Sequence, residues 1–478
     1  MLHMVAILGL GWSWAATRNV VLQIDGASTG VPTQSCREAL SEGLDWTSVR
    51  QPLSTQPTLA VPELPEVRFS SRSQQGKPSS DASAGSPFDP TTLPLQPFEG
   101  RAEDIWRVGE VMRRAAAGER VRMTFFGASH TGGDWWTGHI RRALQSRYGD
   151  GGHGFILPAA LYRGYRGSDI NLCSSAGWQP DYVAAPGSAD DGLLGLGMSV
   201  TGSDSEDFGW IETTETNPHG READRYRIFA LGHPDGGGLH VQLDGLPKQS
   251  FSTIDETVGL VHAQVEVPRG GHRLLLTPDG DGPTRLLGVS VERTGPGVVV
   301  DAIGVRGRQA RHMLRWEPAL ATEMLSALAP DLIVLAYGTN EAADSDYEMD
   351  AYADDLRAAL RQVRAGAPHA ACILVGPSDR GIKSRSRSGP PTTYTRTAPV
   401  AQVQREVAPE LGCVFWDWQQ ATGGPGSMIS WRDSEPPLAA GDLIHFTPAG
   451  YVHSAARFLD ALDAAADTPL KLLGSPQP

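Results

Sequence analysis

The chain has 478 residues, enough for about three domains of roughly 150 residues each. It carries 41 Lys and Arg against 55 Asp and Glu, a formal net charge of -14, which argues against a protein that must neutralise nucleic-acid phosphates. Hydrophobic residues make up 40% and charged residues 20%, so there is apolar material for a core. The longest apolar run, Met4 to Ala16, falls short of the ~20 residues that a bilayer-spanning helix needs and excludes an integral membrane helix.

The segment Met1–Ala16, an apolar stretch followed by small residues, reads as a secretory signal without the usual basic start. Residues 17–100 read as a disordered linker, since Pro52 to Pro97 holds nine prolines in 46 residues among Ser, Thr and Gln. A signal followed by a tether suits a periplasmic, envelope or secreted location. The four cysteines, Cys36, Cys173, Cys372 and Cys413, include no CxxC pair, and the histidines include no HxH or HExxH, so no metal site or cofactor is expected. Cys372 and Cys413 lie in apolar strand-like runs, where a thiol behaves as a small hydrophobe.

From residue 101 the pattern changes to alternating strands and helices. A helix over Glu103–Gly118 precedes a buried strand, Val121–Phe126, and Trp136, Ile140, Leu144 and Tyr148 then share one helical face. The alternation resumes with strands at Val298–Ile303, Asp331–Ala336, Ala371–Val375 and Cys413–Trp416. Helices are expected near Arg308–Leu328, Met349–Val363 and Pro448–Ala465. Short apolar strands covered by helices predict a parallel sheet buried on both faces, a three-layer α/β/α sandwich. The 149 residues between the second helix and the second strand are far too many for a βα loop, and their period-two runs predict an inserted β-sandwich, jelly-roll-like. The expected division is 101–158 and 296–470 for the α/β domain, with 159–295 inserted. Trp178, Tyr182, Trp210, Tyr226 and Phe229 of the insert read as core aromatics rather than as a sugar platform.

In such a sheet ligands bind beyond the carboxyl ends of the strands. Four reactive clusters fall there: Gly127-Ala128-Ser129-His130, Gly304-Val305-Arg306-Gly307, Gly338-Thr339-Asn340-Glu341 and Asp442-Leu443-Ile444-His445. Together they hold the parts of a serine esterase. Ser129 needs a base to become a nucleophile, His445 can be that base, and Asp442, three residues earlier, can orient its ring. The Ser129 and Gly307 N–H groups and the Asn340 amide can receive a developing oxyanion. His130 is read as structural, and His153 and Arg380 as substrate contacts or plain loop residues.

These four blocks, in this order and with the DxxH spacing, resemble the SGNH or GDSL-type hydrolases. The resemblance covers Val121 to Leu462 and implies a flavodoxin-like sheet, with Ser129, Asp442 and His445 catalytic and Ser129, Gly307 and Asn340 forming the oxyanion hole. The run from Ser129 to Asp134, with Gly151-Gly152-His153-Gly154-Phe155, further resembles peptidoglycan O-acetylesterases, which carry a similar insert. It implies an acylated glycan as the substrate, peptidoglycan or another polysaccharide. One position departs from the family: Ala128 stands where an Asp usually precedes the serine, which removes a hydrogen-bond acceptor from the loop. A catalytically weak glycan-binding protein and an O-acyltransferase would use the same scaffold.

Overall fold

The computed structural model describes residues 18–23, 34–42, 68–69 and 93–468, apart from 216 and 385–388. The expected signal segment and most of the expected linker lie outside these residues. Among the described residues no helix is long and apolar enough to cross a membrane.

Five strands make the central sheet: β1 (Arg120–Gly127), β2 (Gly297–Gly304), β3 (Leu332–Ala336), β4 (Ala371–Val375) and β5 (Val414–Trp416). All pair in parallel, in the order β2-β1-β3-β4-β5. That is the flavodoxin-like order, with the direction of winding reversing between β1 and β3. Six helices cover it: α1 (Ala102–Ala116), α2 (Trp136–Tyr148), α3 (Pro318–Leu328), α4 (Met349–Gly366), α5 (Thr397–Glu410) and α6 (Pro448–Ala466).

The strand period of two sorts side chains between the layers. Val121, Met123 and Phe125 of β1 pack with Val111 of α1, Ile140 of α2 and Phe458 of α6. Phe126 faces the opposite side, in the core that also holds Leu320 of α3, Leu356 of α4 and Val407 of α5. The stretch expected as one helix from Arg308 to Leu328 divides into a 3₁₀ segment, Ala310–Arg315, and α3. Pro318 has no N–H to continue the first helix, and Glu317 caps the second by accepting from Leu320 N–H at 2.7 Å.

The insert forms two facing sheets. One joins Gly259–Gly270, Ala223–Gly232, Thr284–Glu292, Met198–Gly202 and Gln179–Tyr182. The other joins Gln249–Ser252, Gly238–Leu243, Arg273–Pro278, Gly209–Thr213 and Ile170–Ser174. Ile228, Val261 and Leu286 of the first sheet share a buried core with Ile211, Val241 and Leu276 of the second. Gly154–Ile156, ahead of the expected boundary at 159, already pairs with Thr284–Glu292. Trp178, Trp210, Tyr226 and Phe229 are buried, as core residues should be.

A buried charge cluster joins insert to sheet. Arg122 of β1 pairs with Asp301 of β2 at 2.7 Å and with Glu292, which also takes Arg225 at 2.7 Å and Arg227 at 2.6 Å. Charges this deep are tolerable only when each has such partners.

Parts of the expected linker are ordered against the body. Arg18–Gln23 lies parallel to Gly259–Gly270 as an edge strand, and Arg68–Phe69 pairs with Ser434–Glu435. Edge strands leave open N–H and C=O rows that any extended segment can satisfy, whatever its composition. The helix Cys36–Glu42 is bound to the insert by a Cys36–Cys173 disulfide. Cys372 and Cys413, both buried in apolar runs, are also joined, a pairing their local setting leaves open. Adjacent parallel strands β4 and β5 bring the two together, a proximity no local pattern reveals.

Candidate active site

The strands end in one row. Gly304, Gly127 and Ala336 are register partners on β2, β1 and β3, and Val375 and Trp416 continue the row on β4 and β5. Ser129, Gly307 and Asn340 each lie two to four residues past it, around the β1/β3 reversal where ligands bind in such sheets.

Ser129 opens a single turn, Ser129–Gly132, immediately after β1. The turn is tied down on several sides. Gly132 N–H donates to Ala128 O at 2.8 Å, Gly133 N–H to Ser129 O at 3.0 Å, and Val305 N–H to Gly127 O at 3.1 Å. The Tyr162 hydroxyl lies 3.4 Å from the carbonyl oxygens of both Gly132 and Gly304. Ala128 is buried, and the loop is held by backbone bonds rather than by an acceptor at that position.

The Ser129 Oγ is 2.8 Å from His445 Nε2, and His445 Nδ1 is 2.7 Å from Asp442 Oδ2. Asp442 can fold back on its own loop because Leu443 adopts a left-handed φ of 62°. Asp442 Oδ1 then accepts from the N–H groups of Ile444 at 2.9 Å and His445 at 3.0 Å. Partial burial opposes ionisation of Asp442, but the hydrogen bonds from His445 and Ile444 outweigh it and hold the carboxyl below its ordinary range. The chain thus presents a serine hydroxyl, an imidazole and an ionised carboxylate in line. Such a relay can take a proton from the hydroxyl and return it to a leaving group.

Gly307 has a φ of +72°, a conformation that favours glycine, and lies in open space. The Asn340 Nδ2 donates to Arg308 O at 2.8 Å, which fixes the amide and leaves its second hydrogen available. Two further side chains connect these loops. Glu341 accepts from Ala310 N–H at 2.7 Å and Gly338 N–H at 2.8 Å, while Gln309 Nε2 reaches Asn340 O at 3.2 Å. Sequence reasoning assigned neither a role. Glu341 carried one readable signal: a glutamate at the third position of a helix commonly reaches back to the N-terminal N–H.

His130 lies beneath the relay, fully buried, with Nδ1 2.8 Å from the Tyr451 hydroxyl and its ring 5.3 Å from that of His445. Burial, aided by neighbouring His445, depresses its pKa to about 3, so it packs as a neutral ring. His153 is also buried and depressed to about 3 by that burial, which removes it as a substrate contact. Arg380 stands at the site, its Nη1 3.4 Å from Thr339 O. The insert reaches the same place: Tyr182 lies beneath the guanidinium of Arg308 at 5.2 Å and meets Tyr162 edge-on at 6.2 Å.

Residues 271–452 match the family model described as the GDSL-like Lipase/Acylhydrolase family. The match covers every block but that of Ser129, which the insert separates from the rest. A solved peptidoglycan O-acetylesterase is similar over 77% of this chain and 98% of its own, with 26% identity and a TM-score of 0.64. A family two carbohydrate esterase from Clostridium thermocellum, solved in complex with cellohexaose, covers 61% of this chain and 97% of its own. Its identity is 14% and its TM-score 0.27, too loose a superposition to support any argument. No curated protein matches the sequence significantly. The sheet order, the loops at its carboxyl edge, the family-model match and the likeness to the peptidoglycan O-acetylesterase lead to one conclusion: the chain carries an SGNH-type, GDSL-like lipase/acylhydrolase domain and is a carboxylic ester hydrolase.

Proposed function

We propose that this esterase removes acetyl groups from a glycan, peptidoglycan being the first candidate, with Ser129 as nucleophile, His445 as general base and acid, and Asp442 as its orienting carboxylate. The observation that carries the reading is the hydrogen-bonded line from Ser129 through His445 to Asp442 at the sheet's reversal point. Likeness to a peptidoglycan O-acetylesterase over most of both chains supports the acetyl-glycan part.

In this mechanism Ser129 Oγ attacks the acetyl carbonyl carbon as its proton passes to His445 Nε2. The oxyanion is received by the N–H groups of Ser129 and Gly307 and the Asn340 amide. Collapse breaks the ester C–O bond, and His445 returns the proton to the departing sugar hydroxyl. A water molecule, deprotonated by the same ring, then attacks the acyl carbon; the bond from that carbon to Ser129 Oγ breaks, His445 returns the proton to Oγ, and acetate leaves. His445 and Asp442 keep side-chain exposures of 37% and 46%, so water has access to the acyl-enzyme, which favours hydrolysis over transfer to another acceptor. The intact relay favours catalysis over silent glycan binding. Two disulfides support an extracytoplasmic site of action, because oxidising compartments are where such bonds persist. The insert, contacting the Gly307 loop through Tyr182, forms one wall of the cleft and guides polymeric substrates.

The test is acetate release from O-acetylated peptidoglycan and from acetylated xylan by the wild type and Ser129→Ala. Release by wild type and none by the folded variant is expected; equal release by both overturns the assignment.

A further inference from the structure

The protein is acidic overall, with 55 Asp and Glu against 41 Lys and Arg. Its candidate active site is rimmed by the opposite charge. Arg306 and Arg308 flank Gly307, and Arg380 donates toward Thr339 O beside Asn340. Gly381, the next residue, donates its N–H at 2.9 Å to Leu443 O, within the loop that carries Asp442 and His445. Three arginines therefore lie on or beside the loops that carry the proposed oxyanion donors, and the segment of one of them is tied to the loop of the relay.

None of the three has a carboxylate within 4 Å among the described residues. Arginines close by do: Arg311 pairs with Asp344 at 2.9 Å, and Arg315 pairs with Asp190. The acidic groups nearest the site are already engaged, Asp442 by His445, Glu341 by backbone N–H groups and Asp344 by Arg311 and Gln309. In place of an ion pair, each rim arginine lies over a tyrosine ring. Arg306 is 4.6 Å from the centre of Tyr162, Arg308 5.2 Å from Tyr182, and Arg380 5.2 Å from Tyr394. Stacking holds the plane of each guanidinium, and backbone carbonyls take some of the edge donors: Arg306 donates to Arg163 O at 3.0 Å and Gly164 O at 3.4 Å, and Arg380 to Thr339 O at 3.4 Å. Neutral acceptors fix the groups and leave their positive charge without a counter-charge. The Arg308 Nε is buried without a hydrogen-bond partner. The three arginines contribute no ion pair to the fold, and an anionic ligand would supply the missing counter-charge.

Resting on the esterase reading above, we propose that the glycan this site takes is polyanionic, with carboxylate or phosphate groups beside the acetylated sugar held by Arg306, Arg308 and Arg380. Both anions present oxygen pairs that fit a guanidinium fork, so the shared chemistry is an oxyanion carried by the polymer.

The test measures binding to a Ser129→Ala protein, which removes turnover from the readout. The probes are O-acetylated polygalacturonate, an O-acetylated ribitol-phosphate polymer and neutral acetylated xylan. At 50 mM NaCl at least one anionic polymer is expected to bind about 10-fold tighter than xylan, with the advantage lost near 1 M NaCl as screening shortens to ~3 Å. Which anionic polymer binds more tightly identifies carboxylate or phosphate. The added substitutions Arg306→Gln, Arg308→Gln and Arg380→Gln, singly and together, should erase the advantage in variants whose circular dichroism is unchanged. Equal affinity for charged and neutral polymers, or an advantage that survives the triple substitution, overturns the proposal. Hydrolysis of p-nitrophenyl acetate by the wild type separates the two readings. Turnover without charge selectivity defeats only the anionic-substrate inference, and selectivity without turnover defeats only the esterase assignment.

Discussion

The Glu341 carboxylate accepts a hydrogen bond from the Ala310 N–H at 2.7 Å while its other oxygen takes the Gly338 N–H at 2.8 Å. One fully buried side chain thereby fastens the loop of Gly307 to the turn of Asn340, the two places from which oxyanion donors are proposed. Glu341→Gln offers one acceptor oxygen to two N–H groups and strands one of them, a cost of about 1–3 kcal/mol. With the donors loosened, kcat should fall on the order of 10-fold with little change in KM, since loops misplaced by about 1 Å can cost up to 10²-fold. Steady-state kinetics and thermal melting check this; a variant matching wild type in both removes the proposed role.

The same residue sets a pH signature. Burial pushes the Glu341 carboxyl up to about 7, against the N–H bonds that favour its ionised form. A carboxyl whose folded value is raised keeps its proton where the unfolded chain has released it. Its contribution to stability is therefore greatest below the unfolded value of 4.5 and declines as pH rises to about 7. Glutamine does not titrate, so the melting temperature of wild type minus that of Glu341→Gln should shrink between pH 4.5 and 7.5. A difference independent of pH over that window contradicts the raised value.

Ester hydrolysis should respond unequally to the proposed machinery. Ser129→Ala and His445→Ala should each lose on the order of 10⁶-fold in kcat, the scale seen when a serine-hydrolase nucleophile or base is removed. Asn340→Ala should lose about 10²–10³-fold, as for one oxyanion donor. Turnover of p-nitrophenyl acetate by folded variants measures all three, and wild-type kcat in Ser129→Ala would disprove the assignment.

Ala128 is 7% exposed, and the N–H groups of Gly132, Gly133 and Val305 around it already have acceptors. Introducing the aspartate that the SGNH resemblance implies at this position would place a carboxylate where these donors are taken. Ala128→Asp should lower the melting temperature and should not raise kcat, because an unpaired buried charge is costly. A faster and equally stable variant would mean that the loop does lack an acceptor.

The Cys372–Cys413 disulfide closes a loop of 41 residues across strands β4 and β5. Cross-linking a loop of this size contributes roughly 4 kcal/mol on a chain-entropy view. Cys372→Ala combined with Cys413→Ala should reduce unfolding free energy by about 2–4 kcal/mol in denaturant titration. A change below about 1 kcal/mol would show that packing of the two strands, rather than the bond, holds that edge.

Much of the scaffold was legible locally. Each strand of the central sheet is a short apolar run, from Arg120–Gly127 to Val414–Trp416, and hydrophobic periodicity reports such elements directly. The loops beyond them could be searched residue by residue, which singled out Ser129, Gly307, Asn340, Asp442 and His445 as a set. Periodicity does not say which strand lies beside which. The order β2-β1-β3-β4-β5 came from packing, and it alone sets Gly304, Gly127 and Ala336 side by side. Only that row brings Ser129 Oγ within 2.8 Å of an imidazole 316 residues away. The same holds for Glu341 and Ala310, for the Arg122–Glu292 pair, for both disulfides and for the strand Arg18–Gln23 in a stretch that reads as linker. In each case the partner that satisfies a buried polar group or an open strand edge is distant in the chain. Local sequence carries the propensity of each segment, and the tertiary fold decides which propensities meet.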